Sequence, residues 1–324
     1  YAQSVPERPE VPQLQLAPAA VPVTQHAQES QPFLAAIEER QSTSASAARQ
    51  LPPLPATAAH ADPDPPSPPL SGMHLALFRL QNESDPRAHT QACRALAMQL
   101  DTEEKRHEAC EAGVPEAIVR VMNHGRKDSS LQVAGCTALR CLCNSSSEEN
   151  EVAAQTAAVG GTDAVLQAMR EHPDKADVQE AACRAIRHLA LHAQNRLQIC
   201  RCHGLETIRT SMRNHLDDAG VQESGCLALG NLAFEPECRH AVSKGLIEAI
   251  VHGMHQHLPS LTVQEAGVFA MYNLICTADC FDTIAECGGI EVVNMAASQH
   301  PELQESPEVH TILSVQPYQG TLDG

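Results

Sequence analysis

Five ten-residue stretches of this chain set apolar, small and polar residues in nearly the same order. They are QACRALAMQL (91–100), VAGCTALRCL (133–142), EAACRAIRHL (180–189), ESGCLALGNL (223–232) and EAGVFAMYNL (265–274). The equivalent positions Cys93, Cys136, Cys183, Cys226 and Val268 follow one another at intervals of 43, 47, 43 and 42 residues. Turned by about 100° per residue, 178–189 gathers Val178, Ala182, Ala185, Ile186 and Leu189 into one stripe. Glu180, Arg184 and His188 fall opposite. The middle of the stripe is always small: Ala92, Gly135, Ala182, Gly225 and Gly267. Glycine inside a helix costs about 1 kcal/mol relative to alanine, so its recurrence predicts a neighbouring helix crossing at close range.

Each such helix is followed by a short polar link and a second helix ending near a glycine, as in EEKRHEACEAG (103–113), NRLQICRCHG (195–204) and CFDTIAECGG (280–289). A third helix comes next: VPEAIVRVM (114–122), TDAVLQAM (162–169), LETIRTSM (205–212), LIEAIVHGM (246–254) and IEVVNMAA (290–297). The turn after it holds His124, His172, His215, His257 or His300, which are expected to meet the unsatisfied carbonyls of the helix they follow. A unit of this kind cannot bury its apolar face alone, so neighbours stack into one continuous core. A period in the low forties with helical patterning predicts an all-α solenoid.

The recurring pattern G-[LI]-E-x-I … V-Q-E-x-G-C-x-A-L-x-N-L covers about 89–300 and resembles armadillo repeats. Its V-Q-E-x-x-C-x-A-L form is similar to the arrays preceding the Roc–COR portions of leucine-rich-repeat kinases, and to armadillo proteins of the vacuolar-protein-8 kind. The resemblance implies a right-handed armadillo solenoid whose last helices line a concave, peptide-binding groove. It also implies an asparagine ladder gripping the partner's backbone, placed here at Asn231 and Asn273, with Cys141 and His188 at the same position elsewhere. Relatives that capture basic import signals carry Trp one turn earlier. Here those positions hold Thr137, Arg184, Leu227 and Phe269, and the chain has no Trp, so import-receptor function is not expected.

The groove candidates are therefore Arg184, His188, Leu227, Asn231, Phe269 and Asn273, with binding centred on 220–277. Glu180, Glu223 and Glu265 would add an acidic rim. Two readings of the asparagines stand: they hold a partner, or they cap or cross-link neighbouring helices. The glutamates, likewise, form a rim or pair locally, as Glu180 could with Arg184 one turn on.

Composition narrows the partner. With 40 Asp and Glu against 22 Lys and Arg, the formal net charge is −18, which leaves no basic footprint for phosphates. Only 2% of residues are aromatic, so stacking platforms for bases are scarce. The expected partner is a protein or peptide, not nucleic acid. No apolar run approaches the roughly 20 residues that cross a bilayer. The 13 cysteines recur at packing positions and are odd in number, which points to reduced, structural thiols and a cytoplasmic or nuclear setting.

Catalytic motifs are lacking: there is no phosphate-cradling glycine loop, G-x-S-x-G or H-E-x-x-H. Cys200-Arg-Cys202-His203 is rich in soft ligands, but no second pair lies at zinc-site spacing. No enzyme activity, cofactor or metal is expected. The alternatives to an adaptor are an armadillo segment of a larger multidomain protein, or a metal- or redox-responsive protein.

Fourteen of the 22 prolines precede residue 71, and runs such as LPPLPATAAHADPDPPSPPL (51–70) favour extended backbone. The expected organisation is a disordered tail over 1–70, in which QPFLAAIEER (31–40) could form a transient helix. The array follows over 71–316, with partial first and last units, and then a disordered end over 317–324. Ser145–Glu149 reads as a solvated insertion. PELQESPEVHTILSVQPYQG (301–320) breaks the repeat, which predicts an uncapped end that continues in a longer chain or self-associates.

Overall fold

The computed structural model describes residues 72–145, 150–275 and 278–314. The tail expected over 1–70, most of the 145–149 insertion and the end over 317–324 lie outside them. The described residues form helices and no strand.

The first two helices are α1 (Gly72–Asn82) and α2 (Pro86–Gln99). Three-helix units follow. The first holds α3 (Glu103–Glu111), α4 (Val114–His124) and α5 (Ser129–Leu142). The second holds α6 (Glu151–Ala158), α7 (Gly161–Glu171) and α8 (Ala176–Leu189). The third holds α9 (Ala193–Arg201), α10 (Gly204–Asn214) and α11 (Ala219–Leu232). The fourth holds α12 (Pro236–His240), α13 (Lys244–Gln256) and α14 (Leu261–Leu274). The chain then runs through α15 (Ala278–Glu286), α16 (Gly289–Gln299), α17 (Pro301–Gln304) and α18 (Pro307–Ser314). First helices stack on first helices, second on second, and third on third. The result is a helical repeat array with one continuous core.

The small stripe residue has a specific neighbour. A Cβ on Gly225 would stand 2.8 Å from Met212 Cγ, so the methionine ending each second helix fills the space a side chain would take. Met122 meets Gly135 and Met254 meets Gly267 in the same way. Cys93, Cys136, Cys183 and Cys226 are fully buried beside this contact. Burial pushes the thiols of Cys93, Cys136 and Cys183 up to about 12, far from the thiolate range that makes cysteine reactive.

Two hydrogen-bond motifs hold the units in register. Inside each unit a glutamine on the third helix donates to two carbonyls at the end of the second. Gln132 reaches Met122 and Gly125, Gln179 reaches Met169 and His172, Gln222 reaches Met212 and His215, and Gln264 reaches Met254 and His257, all at 2.8–3.0 Å. These are orphan carbonyls that a helix end must satisfy. Between units, a turn histidine donates from Nε2 to a carbonyl in the preceding turn. His172 reaches Arg126, His215 reaches Pro173, His257 reaches Leu216 and His300 reaches Leu258, at 2.6–2.8 Å.

This corrects the expectation for the histidines. Only His124 turns to its own helix, with Nδ1 on the Arg120 carbonyl at 2.7 Å; it sits one place early, and Gly125 takes the cap position. The other four join consecutive units. The C-terminal end differs too. Pro307 starts α18 rather than ending order, and Val309 and Ile312 are buried where α18 packs on α14. His310, Thr311 and Ser314 face outward, so the outer side of α18 is polar. Among the described residues, three of the four exposed large apolar side chains lie at the other end, Leu75 and Phe78 on α1 and Met98 on α2, and the fourth, Met295, lies on α16.

Candidate functional site

Because third helices stack side by side, equivalent residues of α2, α5, α8, α11 and α14 form columns across the array. One column reads Arg94, Thr137, Arg184, Leu227 and Phe269. The next, one turn along, reads Met98, Cys141, His188, Asn231 and Asn273. All six residues singled out from the sequence lie in these columns, but the columns are not uniform.

The C-terminal half is closed. Phe269 is completely buried, its ring lying where a side chain on Gly230 would otherwise be. Phe234 meets it edge-on, with centroids 6.4 Å apart and planes at 72°. Leu227 is buried beside it. Asn231 is buried and its Nδ2 donates to the Arg187 carbonyl of the preceding unit at 2.9 Å. Asn273 is buried and its Nδ2 donates to the Phe269 carbonyl, also at 2.9 Å. Of the two readings of the asparagines, Asn231 makes the cross-link to the neighbouring unit, with its Oδ1 buried and without a hydrogen-bond partner among the described residues, whereas the Asn273 bond to Phe269 lies within its own helix. The physical reason for the closure is Gly230, which lets an aromatic ring enter the seam between α11 and α14.

The N-terminal half is open. Met98 is 79% exposed, Arg94 is exposed, and Thr137 and Cys141 are partly so. Met98 is not among the residues singled out from the sequence, although its register is that of Asn231. Between the halves stand Arg184 and His188. Arg184 keeps about half its side chain in solvent, pairs with Glu180 at 2.6 Å and donates from Nε to Ser224 Oγ at 3.3 Å. Of the two readings of Glu180, local pairing is therefore the observed one. Glu265, by contrast, is buried rather than on a rim. His188 is 8% exposed and its Nδ1 has no hydrogen-bond partner. Burial, then the positive charges of Arg187, Arg140, Arg106 and Arg184, hold its ring well below the usual imidazole value.

A second concavity, of about 380 Å³, lies between α7 and α10 and is lined by Arg170, His203, Glu206, Thr207 and Thr210 among others. Arg170 is already engaged there, donating to the Cys202 carbonyl at 2.6 Å and to Thr207 Oγ1 at 3.2 Å. His203 has a left-handed backbone (φ 59°), where Gly113, Gly160 and Gly288 stand in other units. Among the described residues no group of three or more His, Cys, Asp or Glu could hold a metal ion. None of their helices is long and apolar enough to cross a membrane.

Comparison with known proteins is consistent with the repeat geometry. No protein-family model matches the chain. A stretch of 87 residues is 35% identical to Protein aardvark of Dictyostelium discoideum, covering 27% of this chain and 12% of that protein. The chain therefore spans only a small part of this relative's length. The crystal structure of an engineered protein from the Northeast Structural Genomics Consortium superposes with a TM-score of 0.64 at 22% identity, over 73% of this chain and 93% of the other. At that identity, the likeness establishes an all-helical, repeat-like fold and nothing more specific.

Proposed function

We propose that the chain is an armadillo-type, right-handed solenoid acting as a non-catalytic scaffold that holds a protein or peptide along its third helices. The observation that carries this reading is the change in burial along one register. Positions closed by Leu227, Asn231, Phe269 and Asn273 in the C-terminal half stand open at Arg94, Met98, Thr137 and Cys141. A 79% exposed methionine in the register that Asn231 and Asn273 use for packing is unpartnered contact surface on a helix. Packed helices lie roughly 8–10 Å apart, so an extended chain at about 3.3–3.6 Å per residue meets a new helix every two or three residues. The repeat thus supplies a ruler, and the open half supplies the contacts.

A photo-cross-linking side chain at position 98 or 137 tests this reading, with one at Arg213, exposed on α10, as the control. The expected result is one polypeptide captured from both groove positions, competed away by unlabelled protein and absent from the control. Equal capture at position 213, or none at 98 and 137, would contradict the scaffold reading.

A further inference from the structure

The open half of the third-helix face has an electrostatic character opposite to that of the chain as a whole. On α2 the residues Arg87, Gln91, Arg94 and Met98 share one exposed stripe, since steps of seven and eleven residues return a helix to nearly the same direction. Neither α2 (PRAHTQACRALAMQ) nor α5 (SSLQVAGCTALRCL) contains a single Asp or Glu. The carboxylates just before them in the sequence, Asp85 and Asp128, are N-caps accepting from the backbone N–H of Arg87 and Leu131 at 3.1 Å. No carboxylate lies within ion-pair distance of Arg87, Arg94 or Arg140 among the described residues; Arg140 Nη2 approaches Cys141 Sγ at 3.4 Å.

Farther along, carboxylates enter the same face: Asp177 and Glu180 on α8, the latter paired with Arg184, and Glu223 on α11, while Glu265 on α14 is buried. In a chain with 40 acidic and 22 basic residues, two adjacent helices with arginines and no carboxylate form a local inversion. Register places Arg140 level with Ala97, beside Met98, while Arg94 lies one turn earlier on α2. Arg140 also belongs to the positive field around His188, together with Arg187, Arg106 and Arg184.

We infer that the open half of the groove binds an acidic peptide segment, its carboxylates on Arg94 and Arg140 and an apolar side chain against Met98. This rests on the scaffold reading and specifies its partner. Arginine suits the role because its planar fork takes a carboxylate through two parallel hydrogen bonds. The spacing of adjacent helices, about 8–10 Å, sets the motif: acidic residues two or three positions apart with an apolar residue between or beside them. Nucleic acid fits less well. Three arginines on a chain of net charge −18 make a poor phosphate track, and Phe78 is the only exposed aromatic side chain among the large apolar residues at this end.

The experiment is a selection of short random peptides displayed against the full chain, followed by titration of the synthesised winners. The expected winners are net acidic with a neighbouring apolar residue. Their affinity should fall about ten-fold or more on Arg94→Glu with Arg140→Glu, more steeply at low salt, and hold on Arg213→Glu. Circular dichroism melts of each variant confirm that the array is folded. Acidic winners indifferent to the charge reversal would overturn the inference. Neutral or basic winners that are lost on Met98→Asp would overturn the acidic preference and leave the scaffold reading standing. No winner that depends on any groove residue would sink both.

Discussion

The two halves of the third-helix face share a register but use it differently. In α11 and α14 the column residues Leu227, Phe269, Asn231 and Asn273 close the seam between units. In α2 and α5 the same places hold Arg94, Thr137, Met98 and Cys141, which solvent reaches. One glycine accounts for much of the contrast. Gly230 admits the Phe269 ring, and the corresponding residue of α5 is Arg140, which admits nothing of the kind. A repeat therefore fixes where a residue stands, while its neighbour one unit away decides whether it packs or stays open to solvent.

The largest test of that contrast compares Phe269→Ala with Met98→Ala. Removing a fully buried aromatic side chain costs about 3–5 kcal/mol, whereas an exposed methionine lies within about 0.5 kcal/mol of neutral. Denaturant unfolding of both variants measures the difference. Equal losses would mean that the two halves are packed alike.

Much of this architecture was legible in the sequence. Helix stripes, the buried cysteine row and the need for a small residue opposite another helix follow from the 3.6-residue period and its recurrence. The histidine links were not legible, because spacing cannot tell a carbonyl in the same turn from one in the turn a unit earlier. The closure over Asn231 and Asn273 was not legible either. It depends on how closely α11 approaches α14, which shows only when Gly230 and Phe269 are seen together. Met98 was within reach: aligning Cys93 with Cys226 puts it in the asparagine register. The polar face of α18 shows only when Pro307 is seen to begin a helix rather than to end one.

Next in size comes the glutamine motif. Gln222→Ala removes a buried donor from the carbonyls of Met212 and His215, and leaving them short of partners costs about 1–3 kcal/mol. The same loss is expected for Gln179→Ala. Urea unfolding would check both, and a change under 0.5 kcal/mol would show that the links are incidental.

His188 marks the boundary between the halves and gives a pH signature. Above the ordinary value of 6.5 neither folded nor unfolded chain is charged at this residue, so it contributes nothing. Below it the unfolded chain binds a proton that the buried ring refuses, and stability falls as pH falls, by at most about 1.4 kcal/mol per unit. The slope continues until the depressed folded-state value is reached. His188→Asn should flatten the curve below pH 6.5 relative to the parent. Identical slopes would show that the ring is not shielded as the geometry implies.

The smallest effect has the opposite sign. His203 holds the left-handed conformation that three other units give to glycine, and relieving it by His203→Gly should raise stability by up to about 1 kcal/mol. A lower melting temperature would mean that the imidazole contributes more through its contacts than the backbone loses.

The central claim is that the open half binds and the closed half packs. It is tested most directly by titrating one groove partner against two variants, Met98→Asp and the pair Asn231→Ala with Asn273→Ala, with unfolding curves on the same samples. The account predicts lost affinity and unchanged stability for Met98→Asp, and lower stability with retained affinity in the folded fraction for the asparagine pair. Retained affinity for Met98→Asp together with lost affinity for the asparagine pair would contradict it.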